Sequence, residues 1–268
     1  MNIGIFYIAT SIYKEYFNKY FLPSLYNLFP NDIKNIIIIS DEYLSFHNVD
    51  NCKFYFEDII DFPYPIINLC KFQIIEKYAK KYNIDIILYF DADTIIFEKP
   101  LEFWNNLKQK CIDHKDKLIL SYHPHYLYNI NFNFNNEYFF PYIDGSCINV
   151  DTNIIKDKKC YMMTSFFMCY KDALYSYSKK IYNLANQNLK NLRWIPNLSD
   201  ETYLNVINIL ENQSILLDYY ITINPYIYGD YNDKYNRNIW KNNFENIDSI
   251  FINQKFDIEI KAKKQENI

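Results

Sequence analysis

Glycine is almost missing from this chain, with 3 in 268 residues. Tight turns are left to Asn and Asp, which tolerate left-handed backbone. No C-x-x-C occurs among the 6 cysteines, Cys52, Cys70, Cys111, Cys147, Cys160 and Cys169. That spacing supports neither a zinc ribbon nor a redox pair, and the expectation is reduced thiols. There is no excess of positive charge. The net charge is -4, which gives no electrostatic case for nucleic acid. No apolar run approaches the roughly 18 residues of a membrane span. The start, MNIGIFYIATS, lacks the basic opening of a signal peptide and reaches Lys14-Glu15 quickly. These absences lead us to expect a cytoplasmic protein without a transmembrane segment. The stretch KAKKQEN at 261–267 leaves open only a weak peripheral contact with an anionic membrane.

Apolar side chains are plentiful. Half of the residues are hydrophobic and 19% are aromatic, enough for a sizeable core. We expect one domain over residues 1–255 and a polar tail over 256–268. NIGIFYIA (2–9), KNIIIISD (34–41), KFYFED (53–58) and IDIILYFDAD (84–93) read as short, continuously apolar strands. Helical patterns fall between them, over about 12–28 with Ser11 as cap and over Leu69 to Tyr82. Pro23 and Pro30 interrupt and end the first. Strands of this kind alternating with helices mean a largely parallel sheet covered on both faces. Later come a strand at KLILSYHP (117–124), an irregular excursion over 125–160, helices over 171–190 and 200–209, and a strand at SILLDYYITI (214–223).

The segment ILYFDADTIIFEKP (87–100) breaks this pattern. Asp91-Ala92-Asp93 interrupts two apolar runs. In an open α/β sheet, ligands gather at the carboxyl ends of the strands, which is where this triplet falls. Extended backbone turns Asp91 and Asp93 to one face, where neighbouring carboxylates repel unless a cation or protons intervene. A divalent ion there could clamp a diphosphate and neutralise it as a leaving group. The plainer alternative is a solvated turn at a strand end.

YFDADTIIFEKPLEFW (89–104) resembles the D-x-D segment of glycosyltransferases with the GT-A fold. Five further segments resemble glycosyltransferase family 6, which holds the ABO blood-group transferases, the α-1,3-galactosyltransferase and bacterial and phage relatives. They are IGIFYIATSIYKEYFNKYFLPS (3–24), FPYPIINLCKF (62–72), SYHPHYL (121–127), CYMMTSFFMC (160–169) and SDETYLN (199–205). They keep the family's order over about residues 2–205, while the last sixty residues match poorly.

The resemblance implies a GT-A fold, with a Rossmann-like mixed central sheet flanked by helices. It implies a retaining transfer of Gal or GalNAc from a UDP-sugar to an acceptor glycan, usually α-1,3 to a β-galactoside, assisted by Mn²⁺ or Mg²⁺. By the same resemblance Glu201 lies beneath the anomeric carbon, and Asp200 holds the donor sugar. Asp91 and Asp93 are the metal ligands within the Asp91-Ala92-Asp93 donor segment. Tyr13 stacks on uracil, with Ile8 and Thr10 on the same wall. Lys71 stands for an arginine that contacts sugar and phosphate. Met163 and Ser165 stand where donor size is set, and His123 faces the acceptor. Trp194, just before SDET, is the aromatic we single out for the acceptor. The chain departs from the family at Ser199, which replaces a histidine, and at Thr164, Ser165, Met168 and Cys169, which replace glycines around Phe166-Phe167. Bulk there favours a Gal-sized substituent over N-acetyl. The family's C-terminal lysine has no clear counterpart; Lys241 or Lys255 could substitute.

The residues can also be read without the resemblance. Ser199 is a good helix cap, and Asp200 and Glu201 are then first-turn acids favouring the helix dipole. A carboxylate at Glu201 that reaches a sugar could attack C1 or shield an oxocarbenium-like centre. His123 and His125 lack the third partner of a metal site. Most aromatics of 126–140 serve packing. Two other readings stay open. One is a retaining transferase of the glycogenin and lipopolysaccharide-galactosyltransferase type, although its late H-x-x-G-x-x-K motif is missing. The other is a nucleotide-sugar or glycan-binding module without turnover.

Overall fold

A computed structural model describes residues 1–25, 28–29, 31–45, 48–59, 66–92, 95–96, 101–122, 162–190, 199–211, 214–217 and 222–223. Its strands are β1 (Ile3–Ala9), β2 (Lys34–Ser40), β3 (Cys52–Asp58), β4 (Ile86–Asp91), β5 (Ile95–Ile96), β6 (Leu118–Tyr122), β7 (Met162–Tyr170), β8 (Ser214–Leu217) and β9 (Thr222–Ile223). Seven of them form a mixed sheet in the order β3-β2-β1-β4-β7-β6-β8. β3, β2, β1 and β4 are parallel neighbours, as are β6 and β8. β7 runs antiparallel to both β4 and β6. The helices are α1 (Leu22–Ser24), α2 (Ile66–Lys81), α3 (Leu101–Asp113), α4 (Lys171–Lys190) and α5 (Ser199–Glu211).

The continuous apolar runs are explained by burial on both faces. Phe6, Ile8, Ile37, Ile39, Ile87 and Tyr89 pack beneath α2, α4 and α5, with Phe72, Leu174 and Tyr203 among their contacts. The alternate residues Ile5, Tyr7, Ile36, Ile38, Leu88 and Phe90 face α3 and the N-terminal helical stretch, with Trp104, Phe17 and Phe21. All seven residues of β1 are buried. Gly4 is needed there, because a Cβ at that position would meet Ile84 Cγ2 at 2.7 Å.

The expected α/β sheet and its first four strands are found within a residue or two. The helix expected over 171–190 is found as α4 with those limits. α2 begins earlier than the periodicity predicts, at Ile66. It ends on Asn83 with φ 50°, and Ile84 N–H donates to Ala79 O while Asn83 N–H donates to Lys80 O. This is a Schellman cap made by asparagine. Asn51, at φ 57°, takes a left-handed turn in the same way. Two of the three left-handed non-glycine positions among the described residues are therefore asparagines, as expected, while the third is Phe29, at φ 46°.

Three expectations need correction. The first helix is irregular. A 3₁₀ turn at Ser11–Lys14 is followed by a π turn at Phe17–Phe21 and then by α1. Ser11, expected as the cap, lies inside the 3₁₀ turn. Pro23 has no N–H, and its ring collides with a carbonyl four residues back, so the chain widens to π spacing just before it. The run 214–223 is two strands in two sheets, because β8 joins the main sheet and β9 pairs with β5. The apolar run after the D-x-D triplet therefore leaves the main sheet as β5. Finally, β7 and α3 were not expected. The excursion over 125–160 and the tail over 256–268 lie outside the described residues. Among the described residues no helix is long and apolar enough to cross a membrane, and Cys52, Cys70, Cys111 and Cys169 are free thiols.

Candidate active site at the carboxyl end of the sheet

The sheet changes direction of winding between β1 and β4: the chain moves outward through β2 and β3, then returns to place β4 on the other side of β1. Ligand crevices in α/β sheets open at such a switch point, beyond the strand carboxyl ends. Ile8 pairs with Asp91 there. Asp91 is the last residue of β4, and its side chain is 30% exposed.

Tyr89 and Asp91 are two apart and share the face covered by α2. The Tyr89 hydroxyl donates to Asp91 Oδ1 at 2.6 Å. Lys71, from α2, reaches the same oxygen at 3.3 Å, with its Nζ 4.7 Å from the Tyr89 ring centroid. Lys71 Nζ also lies 2.6 Å from Asp200 Oδ2 in the first turn of α5. That approach pairs the charges without hydrogen-bond alignment. The Lys71 and Asp200 side chains are each 5% exposed. Burial works against the ammonium, but the charges of Asp200 and Asp91 outweigh it and hold the Lys71 pKa above that of an ordinary lysine.

The fourth partner of Lys71 is a backbone carbonyl, Thr164 O, at 3.3 Å. It lies where β7 bulges. Leu120 of β6 pairs with Phe167, yet Ser121 pairs with Met163, so Thr164, Ser165 and Phe166 have no counterpart on β6. Bulges free ladder groups and redirect side chains beside functional sites. Here the Thr164 carbonyl accepts from Lys71, and among the described residues the neighbouring Ser165 Oγ is buried without a hydrogen-bond partner.

α5 is held against β7 by Asn205. Its Oδ1 accepts from Met162 N–H at 2.8 Å, and its Nδ2 donates to Met162 O at 3.0 Å. The amide acts as a short piece of strand and sets the height of Asp200 over the bulge. On the other face of the sheet, the buried Tyr7 hydroxyl lies 3.3 Å from Ala92 O and 3.2 Å from Tyr13 O. Tyr13 begins beside Thr10, donating its N–H to Thr10 O at 3.2 Å, and remains 40% exposed.

Lys71, Asp91, Asp200 and the Thr164 carbonyl thus meet from four separate stretches of sequence. Ile8 is paired with Asp91, Tyr13 follows Thr10 in the turn after β1, and the Tyr7 hydroxyl lies near both Tyr13 O and Ala92 O. Glu201 falls in the first turn of α5 and Met163 in β7, but their side chains lie outside the described part. So do Asp93, His123, Trp194, Lys241 and Lys255. Sequence reasoning missed Tyr89, Tyr7, Asn205 and the Thr164 carbonyl. Tyr89 had a signal, since it stands two residues before Asp91 on one strand face. The carbonyl had none, because a bulge is not written in side chains.

Two carboxylates share one ammonium, so the described cluster keeps a surplus negative charge. Hard oxygen donors with that surplus suit Mn²⁺ or Mg²⁺. Among the described residues, however, no three His, Cys, Asp or Glu side chains are grouped to hold a metal. No protein-family model and no curated protein matches this sequence.

Proposed function

We propose that this chain is a retaining glycosyltransferase of GT-A fold. In this reading it moves Gal or GalNAc from a UDP-sugar to an acceptor glycan, in α-1,3 linkage to a β-galactoside. The single observation that carries the reading is the meeting of Lys71 with both Asp91 and Asp200 at the switch point. Two segments that resemble one enzyme family, and a D-x-D segment that resembles the wider GT-A class, bring their polar residues to one place. The mixed sheet supports the GT-A expectation at the level of architecture.

In this scheme the donor lies across the carboxyl ends of β1 and β4. Tyr13 offers its exposed face to uracil. Asp91 and Asp93 would hold Mn²⁺ or Mg²⁺, whose chemistry is charge neutralisation of the leaving diphosphate. Lys71 holds the Asp200 carboxylate in place for the sugar hydroxyls. The bond from C1 to the diphosphate oxygen breaks, and UDP leaves with the electron pair. The acceptor oxygen then bonds to C1 and passes its proton to the departing diphosphate. Glu201 either attacks C1 first or shields the developing positive charge.

The test is UDP release from UDP-Gal and UDP-GalNAc, with Mn²⁺ and then with EDTA. Metal-dependent release that Glu201→Gln lowers by about a hundredfold or more is expected. Binding of UDP-sugar without release, indifferent to Glu201→Gln, would replace the enzyme with a binding module. Equal release in EDTA would remove the metal from the scheme.

A further inference from the structure

We infer that Tyr7 is a positioning residue that fixes the distance between the two halves of the nucleotide site. The inference rests on the donor-binding reading above. Tyr7 stands in the middle of β1, fully buried, on the sheet face away from Lys71. Its ring packs against Phe17 and Phe21, with centroids at 5.0 and 4.4 Å. A phenylalanine would satisfy that packing, so the hydroxyl needs its own explanation.

The hydroxyl lies between two backbone carbonyls that are far apart in sequence. Tyr13 O belongs to the 3₁₀ turn after β1, and Ala92 O belongs to the D-x-D triplet after β4. Both segments leave the sheet at the switch point, one on each side of the crevice. Both contacts, at 3.2 and 3.3 Å, exceed the usual O–H···O separation of about 2.7–2.8 Å. A single proton divided between two acceptors accounts for that. The hydroxyl therefore bridges the turn that presents Tyr13 and the triplet that presents Asp91, and touches no ligand itself.

A ligand that spans both segments gains from their being held at a set separation, because binding one end raises the effective concentration of the other. UDP is such a ligand, with uracil at the Tyr13 end and diphosphate at the Asp91 end. A ligand that occupies one end alone gains nothing from the bridge. Tyr7→Phe should therefore weaken UDP selectively while leaving its fragments alone.

Calorimetric titration of UDP, uridine and pyrophosphate, each with Mn²⁺, makes the comparison in the full chain. The control is Phe17→Leu, which loosens the same aromatic cluster and leaves the hydroxyl in place. For Tyr7→Phe the UDP dissociation constant should rise about five- to tenfold, the range expected for losing one buried hydrogen-bond donor. Uridine and pyrophosphate should each change less than about twofold, and UDP binding to Phe17→Leu should do the same. Three results overturn the coupling alone: unchanged UDP affinity, fragments weakened as much as UDP, or an equal loss in Phe17→Leu. Failure of the unaltered protein to bind UDP overturns the donor-binding reading, and the coupling with it.

Discussion

Removing the Lys71 ammonium is the sharpest test of the charged cluster. At an effective dielectric constant of about 20, the 2.6 Å contact with Asp200 is a gross attraction of roughly 6 kcal/mol, and the 3.3 Å contact with Asp91 is roughly 5 kcal/mol. Desolvating each ion takes back several kcal/mol, so the intact cluster adds little net stability. Breaking it is another matter. Lys71→Met keeps the stem and strands the Asp200 carboxylate at 5% exposure. We expect a loss of about 3–5 kcal/mol at neutral pH by urea unfolding, the range for a buried charge left without its partner. Lys71→Met combined with Asp200→Leu should return to within about 1–2 kcal/mol of the starting protein, since an apolar pair of similar volume replaces a buried ion pair at little penalty. In the unaltered protein the raised Lys71 pKa means that its stabilisation is complete below the ordinary lysine value of 10.5 and fades as pH rises beyond it. A loss under about 1 kcal/mol for Lys71→Met, or no recovery in the double variant, would refute the buried-pair description.

Two other variants probe what surrounds the cluster. Asn205→Ala strands the Met162 N–H and C=O, and should cost about 2–4 kcal/mol by urea unfolding. If the amide also sets the height of Asp200, kcat for UDP release should fall more than KM rises. A native-state thiol titration at pH 8 should leave Cys111 and Cys169 unreacted until denaturant is added, because burial pushes both thiols well above the usual range. Cys52 and Cys70, half-buried with smaller upward shifts from burial, should react slowly without denaturant.

The fold was readable where a residue's fate depends on its near neighbours. Continuous apolar runs marked β1, β2 and β4, because burial on both faces leaves no polar position in the pattern. Asp91 could be placed at a strand mouth because the apolar run stops there. β7 was passed over because Thr164 and Ser165 interrupt its apolar pattern, and they do so at the bulge. The run 214–223 looked like one strand because hydrophobicity does not say which sheet a residue joins.

By itself the sequence determined the alternation of strands and helices, the asparagine turns that replace glycine, and the position of Asp91 at the end of a buried strand. Those are set by periodicity, backbone tolerance and local burial. Only the tertiary structure decided that Lys71 sits between Asp91 and Asp200, that the Thr164 carbonyl accepts from it, and that Tyr7 bridges Tyr13 and Ala92. These pairings join residues up to 129 positions apart, Lys71 to Asp200. They exist because helices from distant stretches pack on one sheet, and no local rule of the chain encodes that meeting.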